Sequence, residues 1–159
     1  MDEEIIQQIR ERASKLDRTI VFPEAQDPRT LQAASYLVEE NICDVKLLGD
    51  EEEIITSYSN NVRETVKDLS SLFIGDSINK SPLADHLYKK RKHKGITRKE
   101  ARAKLDDPLY LGAILVALGQ ADGCVAGSIA TTGDVIRAAI HGIGLREGIK
   151  TISSTFLMA

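Results

Sequence analysis

Two rhythms of apolar and polar positions run along this chain, and the switches between them mark its elements. From Asp2 to Leu16, Ile5, Ile6, Ile9, Ala13 and Leu16 recur at helical spacing, with Asp2, Glu3 and Glu4 at the end where the helix dipole favours anions. The rhythm then shortens. Thr19-Ile20-Val21-Phe22 is a β-branched run that reads as a strand, and Pro23 stops it. Asp27 as cap and Pro28 as first residue open a helix from about Arg29 to Glu40, with Leu31, Ala34, Leu37 and Val38 facing inward and Asn41 suited to a left-handed end. Asp44 to Leu48 is a second strand, ended by Gly49. Strand, helix, strand within fifty residues predicts a parallel pair joined by a crossover. Glu51 to Tyr58 reads as a short helix, Asn60 to Asp68 as a loop or a second short helix, and Leu69 to Ile74 as a third candidate strand. A helix beginning at Ser81-Pro82 runs into a basic segment and ends at Gly95. Thr97 and Glu100 form a capping box, and Asp107-Pro108 opens a helix to Leu118 that is apolar all round and therefore buried. His141 to Lys150 is a glycine-rich connection, and Thr151 to Met158 has a strand pattern.

The centre of the pattern is Ala121 to Ala139. The apolar run Cys124-Val125-Ala126 predicts a buried parallel strand. It is followed by the hydroxyl-rich turn Gly127 to Gly133 and by a helix over Asp134 to Ile140, capped by Thr131 or Thr132. Strand, small-residue turn and helix make a geometry that takes an anion, because the first helical amides lack internal partners and the dipole favours negative charge there. Gly127 lets a ligand approach the backbone, and Ser128, Thr131 and Thr132 add hydroxyls. The alternative is an ordinary well-capped loop. The turn is neither a Gly-Lys-Ser/Thr phosphate loop nor a GxGxxG fingerprint, and the absence of that fingerprint after Phe22 disfavours a dehydrogenase-type nucleotide domain.

Composition narrows the function. With 159 residues the chain is long enough for a core, and a formal net charge of −3 with few aromatics argues against nucleic acid as partner. No apolar run is long enough to span a membrane, and the charged N-terminal segment is unlike a secretory signal. Cys43 and Cys124 stand in separate apolar stretches, without metal-ligand spacing, and read as reduced thiols of a cytoplasmic protein. Lys89 to Lys94, interrupted only by His93, is either a solvated face or a docking site for a phosphorylated ligand. The expected fold class is α/β: a three-layer, Rossmann-like arrangement with a mostly parallel sheet and helices on both faces.

Several motifs appear in order. They are Phe22-Pro23-Glu24 with Asp27 and Arg29, Arg91-Lys92-His93-Lys94-Gly95, Asp107-Pro108-Leu109-Tyr110, Leu118-Gly119 with Ala121-Asp122-Gly123, Gly127, and Asp134 with Arg137. In this the chain resembles the first half of phosphate acetyltransferase; phosphate butyryltransferase and the transferase-like module of some malic enzymes are related. The resemblance implies reversible acetyl transfer between acetyl phosphate and coenzyme A, with coenzyme A as substrate and no bound cofactor. It also implies a homodimer when complete, and two α/β domains with the site in the cleft between them. Residues 1–148 would then be the N-terminal domain and 149–159 the first strand of a second. Arg29, Arg91 and Arg137 match arginines implicated in binding coenzyme A or the anionic substrate, and Gly127, Ser128, Thr131 and Thr132 lie on the turn beside the acyl-phosphate site. Ala130 stands where members often have His, and Ala138 where they often have Pro. The family's C-terminal Asp, Ser and Arg have no counterparts, so a fragment without turnover is expected and no catalytic residue is assigned. His93 and His141 are the only nearby candidate bases by type, and each reads more readily as a surface or structural histidine. A non-catalytic module binding phosphate or coenzyme A is the alternative.

Overall fold

The computed structural model describes residues 3–57, 69, 72–74 and 77–154. Helix α1, Glu3–Ala13, is followed by strand β1, Thr19–Phe22. Helix α2, Pro28–Glu39, starts at the Asp27 cap, whose side chain accepts from the Arg29 amide. It ends with Asn41 in a left-handed conformation, where Ile42 N–H reaches the Leu37 carbonyl and Asn41 N–H that of Val38. Strand β2 is Asp44–Leu47 and helix α3 is Glu51–Ser57. Helix α4, Lys80–Arg91, is capped by Asn79, two residues before the expected start at Ser81-Pro82. A short tight turn, Lys92–Lys94, separates it from α5, Arg98–Ala103, where the Thr97–Glu100 capping box is present as read. Helix α6, Pro108–Ala117, leads to strand β3, Gly123–Cys124, and helix α7 is Thr132–Gly142.

Among the described residues the sheet is parallel, in the order β2-β1-β3. Ile20 pairs with Val45 on one side and Gly123 on the other. The alternation along β1 assigns its two faces. Val21 joins Leu83, Leu87, Leu105, Tyr110, Ile114 and Leu115 beneath α4, α5 and α6. Phe22 joins Leu31, Ala34, Val45, Leu47 and Ile54 beneath α2 and α3. Helices therefore cover both faces, as expected for a three-layer α/β domain.

Four readings need adjustment. The buried strand expected at Cys124-Val125-Ala126 is Gly123–Cys124, and Val125 is exposed. Ile5, Ile9 and Leu16, the apolar stripe around α1, are exposed, and so is Val38 of α2. Among its described residues the third candidate strand contributes a single parallel bridge, from Phe73 to Leu47. Thr151 to Ser154 carry no strand. The readings at Asp2, Asn60–Asp68, Gly75-Asp76 and 155–159 fall outside the described residues. Among the described residues no helix is long and apolar enough to cross a membrane.

Candidate functional site

Central strand β1 has β2 on one side and β3 on the other, and the chain leaves β1 into α2 on one face of the sheet and β3 into α7 on the other. In open α/β sheets the crevice at such a reversal is where ligands bind. Here the carboxyl ends of β1 and β3 open into a crevice of about 310 Å³, bordered by Glu24, Arg29, Thr30, Gly127 and Ser128. A larger groove of about 540 Å³ lies at the amino ends of the strands, beside Thr19, Asp44 and Asn41. Size favours that groove, but the sheet leaves backbone donors and a helix N-terminus at the other end.

The turn after β3 does bind an anion, and the anion belongs to the chain. Glu24, 5% exposed, accepts four consecutive backbone amides. Gly127 N–H (2.5 Å) and Ser128 N–H (3.0 Å) donate to Oε2. Ile129 N–H (3.0 Å) and Ala130 N–H (2.6 Å) donate to Oε1. Gly127 at φ 107° supplies the backbone conformation that the start of the turn needs. Burial pushes the Glu24 carboxyl up, but the four amide bonds together outweigh it and hold its pKa below the ordinary value. The amides of Gly127 to Ala130 are thus committed. Thr131 caps α7 by accepting from the Asp134 amide, and its hydroxyl donates to Asp134 Oδ2 at 2.7 Å. Thr132 and Gly133, first residues of α7, have amides without a hydrogen-bond partner among the described residues.

Arg29 braces this crevice. Its Nη2 donates to Asp27 Oδ2 at 2.6 Å and to the Ser128 carbonyl at 2.9 Å, while Nε bridges both Asp27 oxygens at 3.1 Å. Asp27 is held below its usual range first by this guanidinium and further by the Ser128 hydroxyl. Arg29 therefore links the loops after β1 and β3.

Arg91 lies elsewhere. Nine residues separate Thr132 from His141, about 14 Å along α7. At that far end Arg91, Lys94, Lys104 and His141 line a cleft of about 560 Å³ with Leu87 and Ile96. Arg91 Nη2 is 3.1 Å from His141 Nε2, and Tyr110 Oη is 3.0 Å from Nδ1. A guanidinium can only donate, so Nε2 accepts. A neutral ring then carries its hydrogen on Nδ1 and donates to Tyr110. Burial foremost, then the charges of Arg91, Lys104 and Arg137, lower the His141 pKa. Arg137 is one helical turn before His141 on α7 and pairs with Asp134 at 2.6 Å. Glu100, the acidic residue of this cleft, is tied to the Thr97 amide at 2.7 Å and hydroxyl at 2.8 Å. Arg91, Lys94 and Lys104 form no ion pair among the described residues; Lys104 Nζ lies 4.6 Å from the Tyr110 ring centre.

The expected site residues thus divide between two clefts linked by α7: Arg29, Gly127 and Ser128 at one end, Arg91 at the other, and Arg137 between. His93 lines neither cleft. Glu24, Lys104 and the Tyr110–His141–Arg91 chain of bonds were not read as site features. The one local clue was an acid directly after a strand-ending proline. Cys124 stays inert: burial, then the charge of Glu24, pushes its thiol up to about 11.

Residues 4–159 match the family described as phosphate acetyl/butaryl transferase. This chain is a member of that family. Phosphate acetyltransferase of Acetivibrio thermocellus is 40% identical over 156 residues, covering 96% of this chain and 45% of that protein. The phosphate acetyltransferase of Thermoanaerobacterium thermosaccharolyticum is 38% identical over 157 residues, covering 97% and 46%. The crystal structure of a phosphotransacetylase from Streptococcus pyogenes superposes with a TM-score of 0.78 at 28% identity, covering 95% of this chain and 45% of that one. The EutD phosphotransacetylase from Staphylococcus aureus gives 0.78 at 27% identity, covering 94% and 44%. The chain therefore spans about half the length of these two curated relatives.

Proposed function

We propose that this chain forms the coenzyme A- and acyl-phosphate-docking part of a phosphate acetyltransferase, an enzyme that transfers an acetyl group reversibly between acetyl phosphate and coenzyme A. The observation that carries this reading is the Arg91–Lys94–Lys104 cleft, whose cations form no direct ion pair among the described residues and stand beside the apolar Leu87 and Ile96. Such a cleft suits a ligand with phosphates and an organic body, and a guanidinium can grip phosphate with two parallel bonds. Along α7 lie Arg137, which is paired with Asp134, and the amides of Thr132 and Gly133, unpaired among the described residues, which turn the positive end of the helix toward the crevice beside Arg29 and Ser128, where the small acyl phosphate would lie. An acyl chain longer than acetyl, as in a butyryltransferase, is compatible with the same docking. The complete protein is read as a homodimer in the cytoplasm, with coenzyme A as substrate and no bound cofactor.

Thiol attack on an acyl phosphate needs a base and a positioned pair of reactants. No open base lies in either cleft among the described residues. Glu24 is held by four amides, Glu100 by its cap, and His141 has its lone pair on Arg91. The chain should therefore bind without fast turnover. Calorimetric titration with coenzyme A at low and moderate salt tests this. Binding should be weak and salt-sensitive. Arg91→Ala or Arg137→Ala should each lose a contact of roughly 1.5–3 kcal/mol where it is desolvated in the complex, and Arg137→Lys should recover only part. Equal binding by wild type and both alanine variants removes these arginines from the site. Full-rate release of phosphate from acetyl phosphate would show that the base lies within these residues.

A further inference from the structure

We propose that Glu24 is a positioning residue: a resident anion that shapes the turn after β3 and so sets the crevice for its substrate. The clause about substrate rests on the function proposed above; the claim about the turn stands without it. Four successive amides converge on one buried carboxylate that lies two residues past β1 and more than a hundred residues earlier in the chain. Glu24 makes no ion pair among the described residues, so backbone dipoles alone balance its charge. The turn's shape is then conditional on a negative charge at that point. Without it the amides of Gly127 to Ala130 converge on nothing, and like dipoles held that close push apart.

The consequences reach the crevice through bonded neighbours. The carbonyl of Ser128, whose amide Glu24 holds, accepts from Arg29 Nη2. Ala130, whose amide Glu24 also holds, directly precedes Thr131, the cap of α7. One carboxylate thus sets both the Arg29 brace and the entry of the helix that carries Arg137 and His141. The size of the group matters less than its charge and its two oxygens. An exogenous carboxylate should therefore replace it, whereas an amide should not, because a carboxamide turns an N–H toward two of the four donors.

The test compares wild type, Glu24→Ala and Glu24→Gln by thermal denaturation in sodium formate, sodium acetate and sodium chloride at matched ionic strength, followed by titration with coenzyme A. Both variants should melt about 5–10 °C below wild type in chloride, from the loss of buried charge-assisted bonds. Formate or acetate should raise the melting temperature of Glu24→Ala by half or more of that loss. It should change wild type and Glu24→Gln no more than chloride does, since their nests are filled. Coenzyme A affinity should fall in Glu24→Ala and return with formate. Wild-type stability of Glu24→Gln overturns the proposal, as does a Glu24→Ala that responds equally to formate and chloride. If Glu24→Ala does not fold in any of the salts, Glu24→Gln decides: melting well below wild type supports the proposal, and wild-type stability overturns it. Formate rescue of melting with no coenzyme A binding by wild type leaves the turn claim standing and overturns the substrate clause together with the proposed function.

Discussion

Replacing Gly142 by alanine should destabilise the chain, although alanine is the better helix former. Gly142 closes α7 where it crosses α6. A Cβ there would lie 2.9 Å from the Cβ of Ala113, 3.2 Å from Ile114 Cγ1 and 3.3 Å from the Ala113 carbonyl carbon, against 3.4–4 Å for ordinary contact. Two of these neighbours are rigid, being backbone or a methyl attached to it. Nor can α7 slide away freely. The Gly142 carbonyl accepts from His86 Nε2 at 3.2 Å, and Lys90 Nζ donates to the Ile143 carbonyl, so α4 holds the same end. Overpacking of this kind costs about 1–3 kcal/mol. The helix-propensity gain from Gly to Ala is at most about 1 kcal/mol, and less at a helix end. The net loss should be about 1–2 kcal/mol, or roughly 3–8 °C in melting temperature for a chain of this size. Urea and thermal denaturation followed by circular dichroism measure it. In a double-mutant cycle, Ala113→Gly in the Gly142→Ala background should recover part of the loss by removing the 2.9 Å contact, giving a coupling of opposite sign to the single effects. A neutral or stabilising Gly142→Ala, or strict additivity in the cycle, refutes the close-packing argument.

Three further outcomes follow from the site. His141 has a folded pKa below the ordinary 6.5, so the unfolded chain binds its proton first on acidification. Its contribution should be complete above about pH 6.5 and be lost as pH falls through the depressed value; denaturation from pH 7.5 to 5 should show this slope reduced in His141→Gln, and an unchanged slope contradicts it. Cys124, at about 11, should be roughly one part in a thousand thiolate at pH 8. Iodoacetamide should modify it far more slowly in the native chain than after denaturation, and equal rates contradict the assignment. Asp27→Ala should cost about 1–2 kcal/mol as a lost helix cap, with Asp27→Asn costing less because its oxygen still caps; thermal denaturation distinguishes the two, and equal costs refute the capping account.

The elements were legible where local chemistry decides them. β-Branched residues made β1 and β2 readable, and caps at Asp27, Thr97, Asp107 and Thr131 made four helix starts readable to within a residue or two. The stripe Ile5, Ile9 and Leu16 was readable as amphipathic but not as exposed, because periodicity names a face and not its partner. The turn at Gly127 was readable as an anion site, yet its occupant was not. Glu24 and its amides are distant in sequence, and a single acid after a strand carries no periodic signal. Arg29, Arg91 and Arg137 were grouped by the family resemblance. The length of α7 separates Arg29 from Arg91, a distance that only the folded chain supplies.

The central claim is that ligand binds at the carboxyl ends of β1 and β3 and along α7, rather than in the groove at the amino ends. Hydrogen exchange read by mass spectrometry, with and without saturating coenzyme A, tests it directly. The account predicts slowed exchange over residues 91–104 and 127–142, with no change in peptides covering Ser14, Thr19 and Asn41 to Lys46. Slowed exchange confined to the groove at the amino ends, with 91–104 and 127–142 unaffected, would contradict it.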